Sequence, residues 1–391
     1  MGYIRQEQLR NLRLYKYDGV DHSILSRYVL GPYWDNLVKL FPLSVSPNMI
    51  TLLGLCAIII NLLTLYYYSP DSKESCPSWV YFSFAIGLFI YQSFDAIDGK
   101  QARRTGTSGP LGELFDHGCD ALNTTLEGLI CIHSLNIQGT WWAITSLLLS
   151  TCNFYLTTWE EYYTGTLYLS VFSGPVEGIV MIICIHTCTG LYGRAFWEND
   201  LNALLGLSNP WLPRLQLNHA LLLFGAIGVI FNVVAAIKNV LKSRRHPDLS
   251  HFARFKGLIP FAFLAVVVVV WLNASPSILQ DHFLPFALYY GLTLGYMVGA
   301  MILAYLMMAP FPLNNVLIWP LVAGATNANL PYLLSVKPLF AGRAELVYLY
   351  TCLIAGFVLY FHFAISVINE ICAFCDINCL TVKKKSDANR S

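Results

Sequence analysis

Apolar runs of about twenty residues recur from Asn48 to Ile371, separated by short polar or basic stretches. A helix rises about 1.5 Å per residue, so each run is long enough to cross the roughly 30 Å hydrocarbon core of a bilayer. Ten spans follow from the pattern: 47–68, 79–97, 116–136, 139–158, 174–193, 218–240, 257–273, 284–308, 316–335 and 345–371. The third carries Asp116, His117, Asp120 and Glu127, and the ninth carries Thr326, Asn327 and Asn329, so these two are the least apolar. The fold class expected is an all-α polytopic membrane protein of about ten transmembrane helices. Residues 24–41 follow another pattern, placing Tyr33, Trp34, Leu37, Val38 and Phe41 largely on one helical face. That face suits an interfacial helix lying on the cytosolic leaflet, or a helix packed on the bundle. Residues 1–46 are mixed polar and aromatic, without the early apolar core of a cleavable signal peptide.

Composition agrees with the pattern. Of 391 residues, 56% are hydrophobic and 12% charged, about half the charge density of a soluble protein. The basic residues then orient the spans. An even number of spans puts both termini on one side, and nineteen of the 24 lysines and arginines fall there. Only Lys73, Arg194, Arg214, Lys337 and Arg343 fall opposite, which places both termini in the cytosol. The net charge of +1 singles out no partner, and nucleic acid is not expected among them. The eleven cysteines are scattered mostly within spans, as small buried side chains rather than disulfides. Cys372, Cys375 and Cys379 cluster after the last span, where acylation, a metal site and inert thiols are the alternatives.

The candidate chemistry is concentrated in DAIDGKQARRTGTSGPLGELFDHGCD, residues 95–120. Asp95 and Asp98 are three residues apart, and Asp116 and Asp120 four apart. On helices each spacing stacks two carboxylates on one face. Four converging carboxylates in a low-dielectric setting repel one another and need cations among them, and hard oxygen ligands suit Mg²⁺ or Mn²⁺ rather than zinc. Gly99 and Gly112 flank the break between the two helices and permit a tight turn or a close backbone approach to a bulky ligand. Arg103 and Arg104 are within reach of the same pocket, to neutralise phosphate or to anchor the helix end at the cytosolic face.

The segment resembles the signature of the CDP-alcohol phosphotransferase family, D-x2-D-G-x2-A-R-x8-G-x3-D-x3-D. Every fixed position matches: Asp95, Asp98, Gly99, Ala102, Arg103, Gly112, Asp116 and Asp120. SPNMITLLG, GPLGELFDHGCD, TWEEYYTGTLYL and GPVEG are similar to the eukaryotic choline/ethanolamine phosphotransferase branch. The resemblance implies a reaction in which a diacylglycerol hydroxyl attacks the β-phosphoryl of CDP-choline or CDP-ethanolamine, releasing CMP. It implies that Asp95, Asp98, Asp116 and Asp120 ligate two divalent metal ions, while Asn48 and Arg103 hold the nucleotide. It further implies that His117 accepts the proton, supported by Glu177; in other branches the final aspartate takes that role, so Asp120 competes. It implies a catalytic unit over 47–240, a bundle over 241–371 that packs or dimerises, a cytosolic tail over 372–391, and residence in the endoplasmic reticulum or Golgi.

Two features stay open at this level. Choline and ethanolamine both carry a positive nitrogen, which aromatic rings and a carboxylate recognise, so Trp159 and Glu161 are candidates for the headgroup. Glu127 lies seven residues beyond Asp120 on the same helical face and has no assigned role. An enzyme using CDP-diacylglycerol and a soluble alcohol shares the signature. A prenyltransferase would separate its two aspartate motifs further, and a cation transporter would not require Ala102, Arg103 and Gly112 in register.

Overall fold

The computed structural model describes residues 3–21, 23–169, 175–206 and 214–383. Lys384, Lys385 and Arg390 of the basic tail, and Gly174 of GPVEG, lie outside the described residues. Ten long helices dominate: α1 (Pro47–Tyr68), α2 (Ser78–Thr105), α3 (Pro110–Ser134), α4 (Trp141–Thr164), α5 (Pro175–Tyr192), α6 (Leu217–Lys242), α7 (Ile259–Ala274), α8 (Phe283–Leu306), α9 (Ile318–Leu334) and α10 (Arg343–Cys375). Each overlaps one expected span. By length and composition, six described helices can cross a membrane: α1, α2, α6, α8, α10, and α7 together with the short turns before it. The remainder fall short for local reasons: α3 carries Glu113, Asp116, Asp120 and Glu127, while α9 has only 17 residues.

Local sequence sets the helix ends that frame the site. α1 and α3 both start with proline, whose fixed φ suits the first turn and whose missing N–H has no partner to lose there. α2 ends at Gly106, which adopts φ 67° as its left-handed cap, and Arg103 and Arg104 lie in its last turn, favourable to the helix dipole. The signature therefore forms a helical hairpin. Its break lies at 106–109, between Gly99 and Gly112, which are both inside helices.

α1, α2, α3 and α5 pack together around the aspartates, and α4 joins α3 to α6. α8 is buried along nearly its whole length against α3, α4 and α10. The main apolar core accordingly draws on both halves of the chain, from Ile4 to Ile371. Polar side chains also pin the far half: the buried Arg254 guanidinium donates to the carbonyls of Val240 (2.7 Å), Ser243 (2.9 Å) and His246 (2.9 Å), closing the C-terminal end of α6.

The N-terminal segment is not a separate layer. Strand β1 (Gly19–Asp21) pairs in parallel with β2 (Leu167–Leu169), with Gly19 opposite Leu167. The helical stretch over residues 26–40 then buries Trp34 and Val38 against Ile50, Ile97 and Val176. So Trp34 and Val38 of this face pack on the bundle, the second of the two alternatives, while Tyr28, Val29 and Leu40 on the other side are exposed.

Candidate active site

α2 and α3 bring their carboxylates together as the spacing requires. One oxygen each from Asp95, Asp116 and Asp120 lies within 4.8 Å of the others. Asp98 is on the same cavity wall, buried, and accepts a hydrogen bond from Thr51 Oγ1 on α1 at 2.5 Å. The Tyr91 hydroxyl donates to Asp120 Oδ1. None of the ion pairs among the described residues includes any of the four. Asp116 Oδ1 is buried with no hydrogen-bond partner. An all-oxygen donor set, uncompensated and with an orphaned buried oxygen, fits a hard divalent cation.

These residues line one cavity of about 1360 Å³. Asn48, Gly99, Arg103 and Gly112 line it too. A Cβ at Gly99 would meet nothing closer than Arg103 Nη1 at 3.8 Å, and at Gly112 nothing closer than Asn48 Oδ1 at 4.0 Å. Protein packing therefore does not demand glycine at either position, which leaves room for a ligand as its use. The two arginines separate cleanly. Arg104 donates to the carbonyls of Val38 and Phe41 and to Gln101 Oε1, anchoring the N-terminal helical stretch. The Arg103 side chain has no hydrogen bond or ion pair among the described residues, and it lines the cavity. Asn48 donates to Cys379 Sγ at 3.7 Å and Ser46 Oγ to the Cys379 carbonyl at 3.0 Å, so the tail docks beside α1.

His117 is buried and lines the cavity beside the aspartates. Its surroundings differ from those expected. Glu177 does not meet it: Glu177 Oε1 accepts from Ser23 Oγ (2.6 Å), Ile24 N (2.9 Å) and Leu25 N (3.3 Å). The first backbone N–H groups of a helical segment need acceptors, and Glu177 provides one for the stretch that begins there. The acids around His117 are Glu113 and Glu161; ligand atoms of all three lie within 4.8 Å, and Glu161 Oε2 is 3.8 Å from His117 Nδ1.

The headgroup candidates are also relocated. Trp159 is fully buried, its indole N–H donating to the Arg254 carbonyl at 3.2 Å, and it does not line the cavity. Glu161 stands behind His117 and does not line the cavity either. Glu113 does, together with Tyr15, Tyr17 and Tyr168. The Tyr15 hydroxyl donates to Glu113 Oε2, while Glu113 Oε1 is buried and unpartnered. Burial and the adjacent Glu113 push the Tyr15 phenol up, so it stays a neutral donor. The N-terminal aromatics lack any spacing that would mark them in sequence; the β1–β2 pairing and the Glu177 contacts hold their segment along the cavity.

Residues 44–199 match the CDP-alcohol phosphatidyltransferase family. Over 98% of its length the chain is 38% identical to cholinephosphotransferase 1 of Saccharomyces cerevisiae, covering 99% of that protein. The chain belongs to the CDP-alcohol phosphatidyltransferase family. A class-I member of this family from Schizosaccharomyces pombe, itself uncharacterised, is 41% identical over 99% of the chain and 100% of that protein. Choline/ethanolaminephosphotransferase 1 of Arabidopsis thaliana is 39% identical over 98% of the chain and 100% of that protein. The family match spans α1 to α5, the helices that surround the aspartates.

Proposed function

We propose that this protein is an integral-membrane phosphotransferase that moves phosphocholine, phosphoethanolamine or both from the CDP-alcohol to diacylglycerol, giving phosphatidylcholine or phosphatidylethanolamine and CMP. One observation carries the reading: a single cavity joins the carboxylate wall to an apolar end whose α6 lining, Phe224 and Ile227, is also 62% and 52% exposed on the helix. A polar nucleotide and a two-chain lipid can thus approach one point from different sides.

Asp95, Asp98, Asp116 and Asp120 would hold two ions, Mg²⁺ or Mn²⁺, which when bound supply charge neutralisation at the two phosphoryl groups. Arg103 adds a fixed cation beside them, and Gly99 and Gly112 leave backbone surface against which the diphosphate can lie. Asn48 is assigned to the nucleotide. His117 takes the proton from the attacking hydroxyl, and Glu161, behind its Nδ1, orients the imidazole in the place expected of Glu177. Glu113, with Tyr15 and Tyr17, is assigned to the headgroup nitrogen in place of Trp159 and Glu161, because it is the acid of this group that faces the cavity.

All ten long helices are taken as spans, with both termini and the site's mouth at the cytosolic face of the endoplasmic reticulum or Golgi. Residues 47–240 form the catalytic unit; the 241–371 unit braces it through α8 and offers its outer faces to a second copy in a homodimer.

Purified protein in detergent–lipid micelles, given diacylglycerol, Mg²⁺ and equal CDP-choline and CDP-ethanolamine, is expected to form one or both phospholipids, followed by mass spectrometry. Product only from CDP-diacylglycerol and a soluble alcohol would reassign the reaction, and no CMP release with any of these would remove the enzyme reading in favour of a cation site. Glu113→Gln is expected to raise the apparent KM for both CDP-alcohols by about tenfold or more, since hydrogen bonds to charged groups contribute roughly 1.5–3 kcal/mol. An unchanged KM for both would remove Glu113 from the headgroup site.

A further inference from the structure

Beyond the aspartates the cavity wall carries polar side chains that the phosphoryl chemistry does not use. Gln92 is three residues before Asp95 on α2, and Asn123 three residues after Asp120 on α3. The two helices meet at the 106–109 loop, so both amides lie about one turn, about 5 Å, farther from that loop than the carboxylates. Glu127 is one turn farther still. All three line the cavity and all are buried, at 5%, 7% and 4% exposure. Gln92 Oε1, Asn123 Oδ1 and Glu127 Oε2 each lack a hydrogen-bond partner. Neither amide nitrogen of Gln92 and Asn123 has a partner among the described residues.

Buried polar groups are nearly always paired, and the amide N–H groups of Gln92 and Asn123, without partners on one wall of one cavity, point to a ligand that offers them acceptors. Glu127 is held rigidly from behind: its Oε1 is 2.6 Å from His186 Nε2, and His186 Nδ1 is 2.8 Å from Ser134 Oγ. That hydrogen bond gives the buried acid a partner among apolar helices. Past Glu127 the wall turns apolar, with Leu135, Met181, Ile182 and Ile185. The polar stretch is therefore the junction between the phosphoryl site and a space for hydrocarbon.

We propose that Gln92 and Asn123 form a subsite for the glycerol ester groups of the acceptor lipid, with Glu127, fixed by His186, closing its polar stretch. This rests on the acceptor being a diacylglycerol. Each amide offers two N–H donors and an oxygen acceptor on one planar group. The glycerol end of a diacylglycerol offers those N–H donors two ester carbonyls, which only accept. Binding the carbonyls one turn below the aspartates leaves the hydroxyl at the level of His117 and the carboxylates. The subsite would thus choose ester-linked over ether-linked acceptors as well as hold the lipid in register.

The test compares dioleoylglycerol with a dialkylglycerol of matched chains, which keeps the hydroxyl and lacks both carbonyls. Wild-type protein is expected to use the diester with a kcat/KM at least about tenfold higher, because a site built to hydrogen-bond a group rejects the analogue without it. Asn123→Leu and Gln92→Met should raise the KM for dioleoylglycerol about tenfold, leave the KM for the CDP-alcohol within twofold, and erase most of the preference. Asn123→Ser, too short to reach the ester, should do the same if the leucine variant does not fold. Equal use of both lipids by the wild type, or a preference that survives in the variants, would overturn the subsite. Absence of phospholipid from the wild type with any acceptor would instead overturn the reading of the function beneath it.

Discussion

Asp116→Asn should lower turnover by at least about a thousandfold while leaving a folded protein. The size follows from what the residue is asked to do: removing one well-placed electrostatic group from a site of charge development costs about 10²–10³ in rate, and a ligand to a catalytic ion does no less. The folded state should not suffer, because the substitution is nearly isosteric and removes one of four mutually repelling carboxylates, none paired with a cation among the described residues. Thermal unfolding with and without Mg²⁺ separates the two effects. A ligand that binds only the folded state stabilises it by about 2.7 kcal/mol at one hundred times its Kd, so the wild type should gain in melting temperature on Mg²⁺ addition. The variant should start at an equal or higher temperature and gain much less. Near-normal turnover in Asp116→Asn, or an undiminished Mg²⁺ gain, would remove Asp116 from the metal site; the same pair of measurements applies to Asp95→Asn.

What could be read from the sequence, and what could not, divides along a physical line. Long apolar helices are announced by length and apolarity alone, so every expected span overlaps a helix, with ends displaced where capping decides them; α2 runs on through Gly99 to Thr105, where Gly106 supplies its left-handed cap. The carboxylate cluster was legible because three- and four-residue spacings fix which side chains share a face. The environment of His117 was not legible. Glu113 is one turn earlier on the same helix, but Glu161 comes from α4, packed behind α3, and no spacing relates it to His117. Glu177 carries the opposite lesson. Its place at the start of an apolar span called for a partner, and it found one in Ser23, Ile24 and Leu25, because the N-terminal segment folds back over the bundle. That fold-back depends on a three-residue parallel strand pair too short to show in any alternation.

His117→Ala should cost about 10²–10⁴ in kcat, the usual contribution of a positioned general base, with the affinity for the CDP-alcohol and the Mg²⁺ gain in stability both retained. The geometry supports the histidine over Asp120 as base. Asp120 accepts the Tyr91 hydroxyl and lies within the carboxylate cluster, where a bound cation would hold it ionised and make it a poor acceptor. His117 is outside that cluster, lines the same cavity, and is backed at Nδ1 by the Glu161 carboxylate. A base must be unprotonated to act, so wild-type kcat should fall as pH drops through the titration of the imidazole, and that limb should vanish in His117→Ala. Small imidazoles should restore part of the lost rate by entering the vacated space. Glu161→Gln should lower kcat with little change in KM, while Glu177→Gln should act on stability, through the N-terminal segment it caps, more than on kcat. A His117→Ala protein that no longer binds the CDP-alcohol would make this histidine part of the nucleotide site. One that keeps turnover, alongside an Asp120→Asn protein that binds Mg²⁺ normally but is inactive, would return the proton to Asp120.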